Sequence, residues 1–304
     1  MHFPKSITVC EVGLRDGLQN EKTILTTDQK LELVQAVTDS GMPVIELGSF
    51  MNPKAVPQMA NTDELFHKKP QTNIEFRALI ANIKGVERAI ACGCNKVKLN
   101  VSASREHNLA NLNMTPEDSI KKFSACAEAS ANAGISISGS ISMPFGSPWE
   151  GEIPLCEIEA IVDAYLSIGI DEISLSDASG MAVPDQVYNI CTAMKKKYPN
   201  VSWWLHFHNT RGMGVANLLA ALQAGMTRYD TSFAGLGGCP FVPGAAGNIA
   251  TEDILYLCNR MGIETGIDFG KAIAVAALVE DMVGHPVDSY LLRISNMSKH
   301  TTSI

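Results

Sequence analysis

The chain has no run of about 18 apolar residues, the length that a helix needs to cross a bilayer, so nothing in it reads as a membrane span. Its opening MHFPKSITVCEV lacks an apolar stretch behind a charged start, and so does not read as a secretory signal. Positive charge is not in surplus: 24 Lys and Arg face 32 Asp and Glu, a net −8. That excludes a general nucleic-acid partner, which needs a basic face. Cysteine pairs at metal-binding spacing are missing too. Cys92-Gly-Cys94 is too close for a zinc pair and has no second pair to complete it. Cys10, Cys126, Cys156, Cys191, Cys239 and Cys258 stand singly, which points to reduced thiols in a cytoplasm rather than a disulfide framework. No low-complexity run or linker divides the 304 residues, so they are expected to form one domain.

What the sequence does contain is alternation. Strand-like runs fall at 7–12, 43–50, 73–80, 95–102, 135–142, 171–177, 202–208 and 228–235. Helix-like runs fall at 26–41, 83–93, 115–134, 154–169, 183–199, 214–225 and 251–262. Thr115 reads as an N-cap with Pro116 at the first helical position. Eight strands alternating with seven helices predict an α/β fold of the (β/α)₈ barrel type, with a helical C-terminal extension from about residue 266. The alternative is a doubly wound open sheet. It usually has fewer strands and a Gly-rich first turn, whereas GLRDGLQNE is charged and polar.

In such a barrel the chemistry collects at the C-terminal ends of the strands. Those ends carry Glu11, Arg15, Asp16 and Gln19, then Glu46, Asn100, Ser140 and Ser142, then Asp177, His206 and His208. Thr210 follows in HFHNTRG, and the eighth strand runs into a Gly- and Pro-rich loop that carries Cys239. Residues two apart on a strand share a face, so His206 and His208 can grip one ion. Asp16 could add a carboxylate across the barrel and Asn248 an amide oxygen. A mixed nitrogen and oxygen set without thiolate suits Mg²⁺ or Mn²⁺ better than zinc. The bland readings are two satisfied core histidines, an Arg15 held by Glu46 or Asp177, and an Asp177 or Glu252 that caps a helix.

EVGLRDGLQNEK (11–22) and GLGGCPFVPGAAGNIATED (235–253) resemble the 3-hydroxy-3-methylglutaryl-CoA lyase family. So do IELGSFMNPKAVPQMA (45–60) and HFHNTRG (206–212), and the likeness runs from about residue 7 to residue 262. The resemblance implies divalent-metal-dependent cleavage of a 3-hydroxyacyl-CoA into acetyl-CoA and a keto acid, by a homodimer. It implies Asp16, His206, His208 and Asn248 as metal ligands. Cys239 matches the catalytic thiol, Arg15 the catalytic arginine, and Glu46 the acidic partner of the first motif. Gln19, Ser140, Asp177 and Thr210, on the same mouth, are assigned to substrate contact, and Asp16 doubles as a candidate base.

The chain departs from the family pattern at Asn209, where Asp is usual, at Arg211, where Tyr is common, and at Ser140, where a Tyr is expected. SDASGM (176–181) replaces a more usual GDTIGV. The reaction type is therefore fixed more tightly than the acyl group. Citramalyl-CoA and a longer 3-alkyl-3-hydroxyglutaryl-CoA fit the same chemistry. Three other readings compete: a condensing enzyme of the isopropylmalate synthase type, a metal aldolase that does not use CoA, and a non-catalytic barrel that binds acyl-CoA or metal.

Overall fold

The computed structural model describes residues 2–238 and 246–301. Eight parallel strands close into a barrel in sequence order: β1 (Thr8–Glu11), β2 (Val44–Ser49), β3 (Glu75–Leu79), β4 (Lys96–Ser102), β5 (Ser136–Ser142), β6 (Glu172–Asp177), β7 (Ser202–Phe207) and β8 (Arg228–Thr231). Closure is made by β1 on β8, from Thr8 opposite Arg228 to Glu11 opposite Thr231. The (β/α)₈ barrel is therefore the fold, and the open sheet is not.

The helices around it are α1 (Thr27–Asp39), α2 (Thr62–Lys68), α3 (Ile83–Ala91), α4 (Arg105–Leu112), α5 (Pro116–Asn132), α6 (Leu155–Ser167), α7 (Pro184–Lys197), α8 (Gly214–Gln223) and α9 (Thr251–Met261). Thr115 caps α5 through its side chain, with Pro116 at the first position, as its sequence predicts. A reciprocal Thr26–Gln29 capping box starts α1. The sequence reading places no helix at α2 or α4. Both are about two turns long, too short for an apolar period to show. Beyond the barrel, α10 (Phe269–Val283) and α11 (Tyr290–Thr301) form the expected C-terminal helices. Among the described residues no helix is long and apolar enough to cross a membrane.

The apolar core lies between the sheet and the helices, where Val9, Ile45, Leu99, Ile141, Leu175 and Leu205 are fully buried. Strand alternation turns their neighbours inward. There the barrel holds Glu46, Arg77, Lys98, Ser140, Ser174, His206 and Asp230, all buried, beside a small apolar group of Cys10, Val12, Val44 and Trp204. Barrels of this type are commonly filled with branched aliphatic side chains. Here the filling is charge and hydroxyl, and it is balanced in pairs. At the lower end Lys96 Nζ reaches Glu75 at 3.1 Å and Glu172 at 2.8 Å. Above it the Arg77 guanidinium lies 4.5 Å from the Trp204 ring centre. A bulge between Glu46 and Gly48 shifts the β2–β3 register just where Glu46 turns inward.

Candidate active site

The turn after β1 is wound tightly. The amides of Arg15, Asp16 and Gly17 all donate to the Val12 carbonyl, at 3.0, 2.7 and 3.3 Å. This π-type turn, Gly13–Gly17, puts Arg15 and Asp16 side by side at the barrel mouth. Glu11 fastens it from below. Its carboxyl accepts from Gly13 N at 2.7 Å, Phe233 N at 2.9 Å and Thr251 Oγ1 at 2.6 Å. Glu11 is thus a buried staple between the first and last strands rather than a cavity group. Burial pushes its carboxyl up to about 8, against the three hydrogen bonds.

Two strands around the barrel, the end of β7 delivers His206, and the residue just beyond it is His208. His206 Nε2 and His208 Nε2 lie 3.0 Å apart, and stand 3.8 and 3.6 Å from Asp16 Oδ2. One ligand atom from each of these three residues falls within 4.8 Å of the others. A backbone bridge pairs His208 with Asn248, which brings in a fourth group. Asn248 Nδ2 donates to Asp16 Oδ2 at 2.8 Å and to the Leu236 carbonyl at 3.0 Å, while its Oδ1 is buried without a partner. A buried amide oxygen left unpaired is costly unless something else takes it. A carboxylate, two imidazoles and that oxygen make a donor set that fits a divalent cation. Burial alone would raise the Asp16 carboxyl. The Arg15 guanidinium, with the two imidazoles, outweighs it and holds Asp16 well below the usual carboxylate range.

Arg15 is itself held from two sides. Its Nε donates to Glu46, and its Nη1 to Asp16 Oδ1. Gln19 Nε2 adds a bond to the same Asp16 oxygen at 3.1 Å. Two residues that the sequence reading did not single out complete the arrangement. Lys98 Nζ reaches Glu46 Oε2 at 3.2 Å and Asp230 Oδ2 at 2.9 Å. Asp230 Oδ2 in turn faces His206 Nδ1 at 3.4 Å, which favours a proton on Nδ1 and a lone pair on Nε2. The available signal was the alternation in KVKLN, which puts Lys98 on the same face as Asn100. Asp230 likewise sits at an inward position of its short strand.

These groups line a cavity of about 520 Å³ at the C-terminal mouth. Asn100, Ser140, Ser142 and Ser176 form a polar wall, and Met51, Val56, Leu79 and Ile80 an apolar one. Arg15, Asp16, Gln19, His206 and His208 all line it. Glu46 lies beneath it, fully buried. Asp177 and Thr210 are not on its wall. The Asp177 carboxylate accepts from Met181 N at 3.0 Å, Ala182 N at 3.1 Å and Ser179 Oγ at 3.1 Å, so it shapes the turn into α7. Arg15 does not pair with Asp177. Arg211 donates to the carbonyls of Ser179 and Gly180, at 2.9 and 3.1 Å, and ties that same turn. Cys239 lies outside the described residues.

A closed parallel barrel with a candidate metal centre and a clamped arginine at its C-terminal mouth is the architecture of a (β/α)₈-barrel enzyme. The chain belongs to the HMGL-like family, whose model matches residues 6–279. It is 38% identical over 93% of its length to the mitochondrial hydroxymethylglutaryl-CoA lyase of Arabidopsis thaliana, and spans 61% of that protein. It is 39% identical to the (R)-citramalyl-CoA lyase of Chloroflexus aurantiacus, with 93% of each chain covered. Among solved structures, an HMG-CoA lyase of Acinetobacter baumannii in complex with coenzyme A and 3-methylmalate superimposes with a TM-score of 0.92. It shares 39% identity, and the match covers 96% of each chain.

Proposed function

We propose that this protein is a divalent-metal-dependent carbon–carbon lyase that cleaves 3-hydroxy-3-methylglutaryl-CoA to acetyl-CoA and acetoacetate. The observation that carries the reading is the convergence of Asp16, His206 and His208 beside the Arg15 guanidinium. Asp16, His206, His208 and Asn248 would hold the ion, Mg²⁺ or Mn²⁺ by the hardness of the set. A divalent ion there supplies Lewis-acid polarisation of a substrate oxygen.

The chain's own residues divide the remaining work. Arg15 has Nε and Nη1 engaged by Glu46 and Asp16, so its orientation is set before substrate arrives. Its other donors serve the thioester oxygen as negative charge grows there, a type of help worth about 3–4 kcal/mol. Asp230 faces His206 Nδ1 and so leaves the Nε2 lone pair for the ion. Asp16, beside the same ion, is the candidate acceptor for the hydroxyl proton. Gln19 and Ser140 contact substrate from the cavity wall. Asp177 and Thr210 act at one remove, through the turn before α7. Cys239 protonates the enolate carbon to give acetyl-CoA. The protein works as a homodimer, with α10 and α11 as the contact face. It resides in a reducing cytoplasm, in keeping with its seven described thiols, all unbridged.

A second reading keeps the chemistry and changes the acid. The hydroxyl-rich wall of Asn100, Ser140, Ser142 and Ser176 suits a smaller, more polar acyl group such as citramalyl-CoA. One experiment separates the two. The purified protein, with Mn²⁺ and a thiol reductant, is incubated with each acyl-CoA and the products are identified by mass spectrometry. Acetyl-CoA plus acetoacetate, abolished by EDTA, supports the first reading, and acetyl-CoA plus pyruvate the second. Cleavage of neither rejects both.

A further inference from the structure

The buried charges at the barrel mouth form a closed ring. Asp16 bonds Arg15, Arg15 bonds Glu46, Glu46 meets Lys98 at 3.2 Å, Lys98 meets Asp230 at 2.9 Å, and Asp230 faces His206 at 3.4 Å. His206 closes the ring on Asp16 at 3.8 Å. The members come from the turn after β1 and from β2, β4, β8 and β7, so the ring spans the barrel. Lys98 is the member farthest along the ring from Asp16. Its side chain is 4% exposed, and among the described residues it is the one cation bonded to both Glu46 and Asp230. Those two carboxylates are the ones that aim Arg15 and His206. Without Lys98 they would stand near each other, buried, with like charge and no cation bonded to both, an arrangement that is strongly unfavourable.

We propose that Lys98 is a positioning residue. By bridging Glu46 and Asp230 it holds Arg15 on one side and His206 on the other, and so sets the metal-ligand geometry from behind the ligands. Charge alone would act the other way. With Lys98 gone, Arg15 offsets only one of the three carboxylates Asp16, Glu46 and Asp230, and the excess negative charge favours a cation. A loss of affinity would therefore report misplaced ligands. The inference rests on the metal reading above, and extends it to a residue that the ligand set does not include.

The test is Mn²⁺ affinity, read by the electron paramagnetic resonance of free Mn²⁺ in titrations of metal-stripped full-length protein. Partners that orient a ligand from behind typically change affinity 10–100-fold. Lys98→Met is therefore expected to bind Mn²⁺ at least ten-fold more weakly than wild type, at a temperature where both are folded by circular dichroism. Equal affinity would overturn the proposal. Should Lys98→Met fail to fold, Lys98→Met/Glu46→Gln removes one charge of each sign and is compared with Glu46→Gln alone. The double variant is expected to bind at least ten-fold more weakly, because Asp230 still loses its cation. Equal affinity there would mean that Lys98 only neutralises Glu46, and would overturn the proposal equally. A wild-type protein that binds no Mn²⁺ would instead sink the metal reading, and this inference with it.

Discussion

Asn248 Nδ2 donates to Asp16 Oδ2 at 2.8 Å, while Asn248 Oδ1 is buried with no partner. The two residues lie at opposite ends of the sequence and meet because β8 closes on β1. An amide that spends its donor on the carboxylate and leaves its acceptor unused is oriented for a third party. Asn248→Ala removes that acceptor together with the donor to Asp16, which keeps its bonds from Arg15 and Gln19. Mn²⁺ affinity is expected to fall on the order of 100-fold, the upper end of the range for groups around a metal site. Equilibrium titration decides it, and an unchanged dissociation constant would remove Asn248 from the ligand set.

Cys239 is the second target. The residue lies outside the described segments, so its role rests on the motif GLGGCPFVPGAAGN (235–248) and on family membership. A thiol that donates a proton late in the reaction is not needed to bind metal. Cys239→Ala should therefore bind Mn²⁺ like wild type, yet lose 100-fold or more of its turnover, in line with the usual contribution of a positioned acid. Wild-type turnover in this variant would show that another group protonates the enolate.

Much of this was legible in the sequence, for a physical reason. A (β/α)₈ barrel repeats one unit, so eight strand-like runs with helices between most of them point to the fold and the mouth at once. Asp16, His206 and His208 were visible because they fall at strand ends, where a polar residue has little reason to be buried. Lys98 and Asp230 were not. A Lys in the middle of a strand reads as a solvated residue until closure of the barrel surrounds it with Glu46 and Asp230. Asp177 shows the opposite case. It is at a strand end, but three donors of its own turn consume its carboxylate. Glu11 likewise faces the β8 turn and not the cavity, which no strand-end rule can distinguish.

A third prediction concerns pH. Glu252 is fully buried on α9 and accepts from Ala234 N at 3.2 Å, and its Oε1 has no partner. Burial raises its carboxyl from 4.5 to about 7, against a bond from Ser289. Between those values the folded state keeps a proton that the unfolded chain has released. Stability therefore falls as pH rises from 4.5 towards 7, and levels off above. Glu252→Gln mimics the protonated form and removes this loss. It should match wild type near pH 4.5 and be more stable at pH 8 by on the order of 3 kcal/mol. Melting temperatures across that range check it. A variant-to-wild-type difference that does not change with pH would mean that Glu252 is not the source.

The last prediction tests whether the backbone beside the site is shaped for the Asn248–Asp16 contact. Gly237 has φ +124°, and a Cβ there would lie 2.5 Å from Asn248 Nδ2 and 3.3 Å from the Asp16 carbonyl. Both neighbours belong to the two residues that make the 2.8 Å hydrogen bond. Gly237→Ala must therefore push that pair apart or force a strained φ, at a cost of about 1–3 kcal/mol. Gly262 is the control. It ends α9 at φ +68°, with nothing within 4 Å of its would-be Cβ. Gly262→Ala should lose stability of about 1 kcal/mol, with Mn²⁺ affinity unaltered, since only the helix end is strained. Gly237→Ala should lose affinity ten-fold or more for a comparable drop in melting temperature. If both variants bind Mn²⁺ alike, the glycine serves the turn and not the site, and the Asn248–Asp16 geometry tolerates a displacement that the ligand assignment forbids.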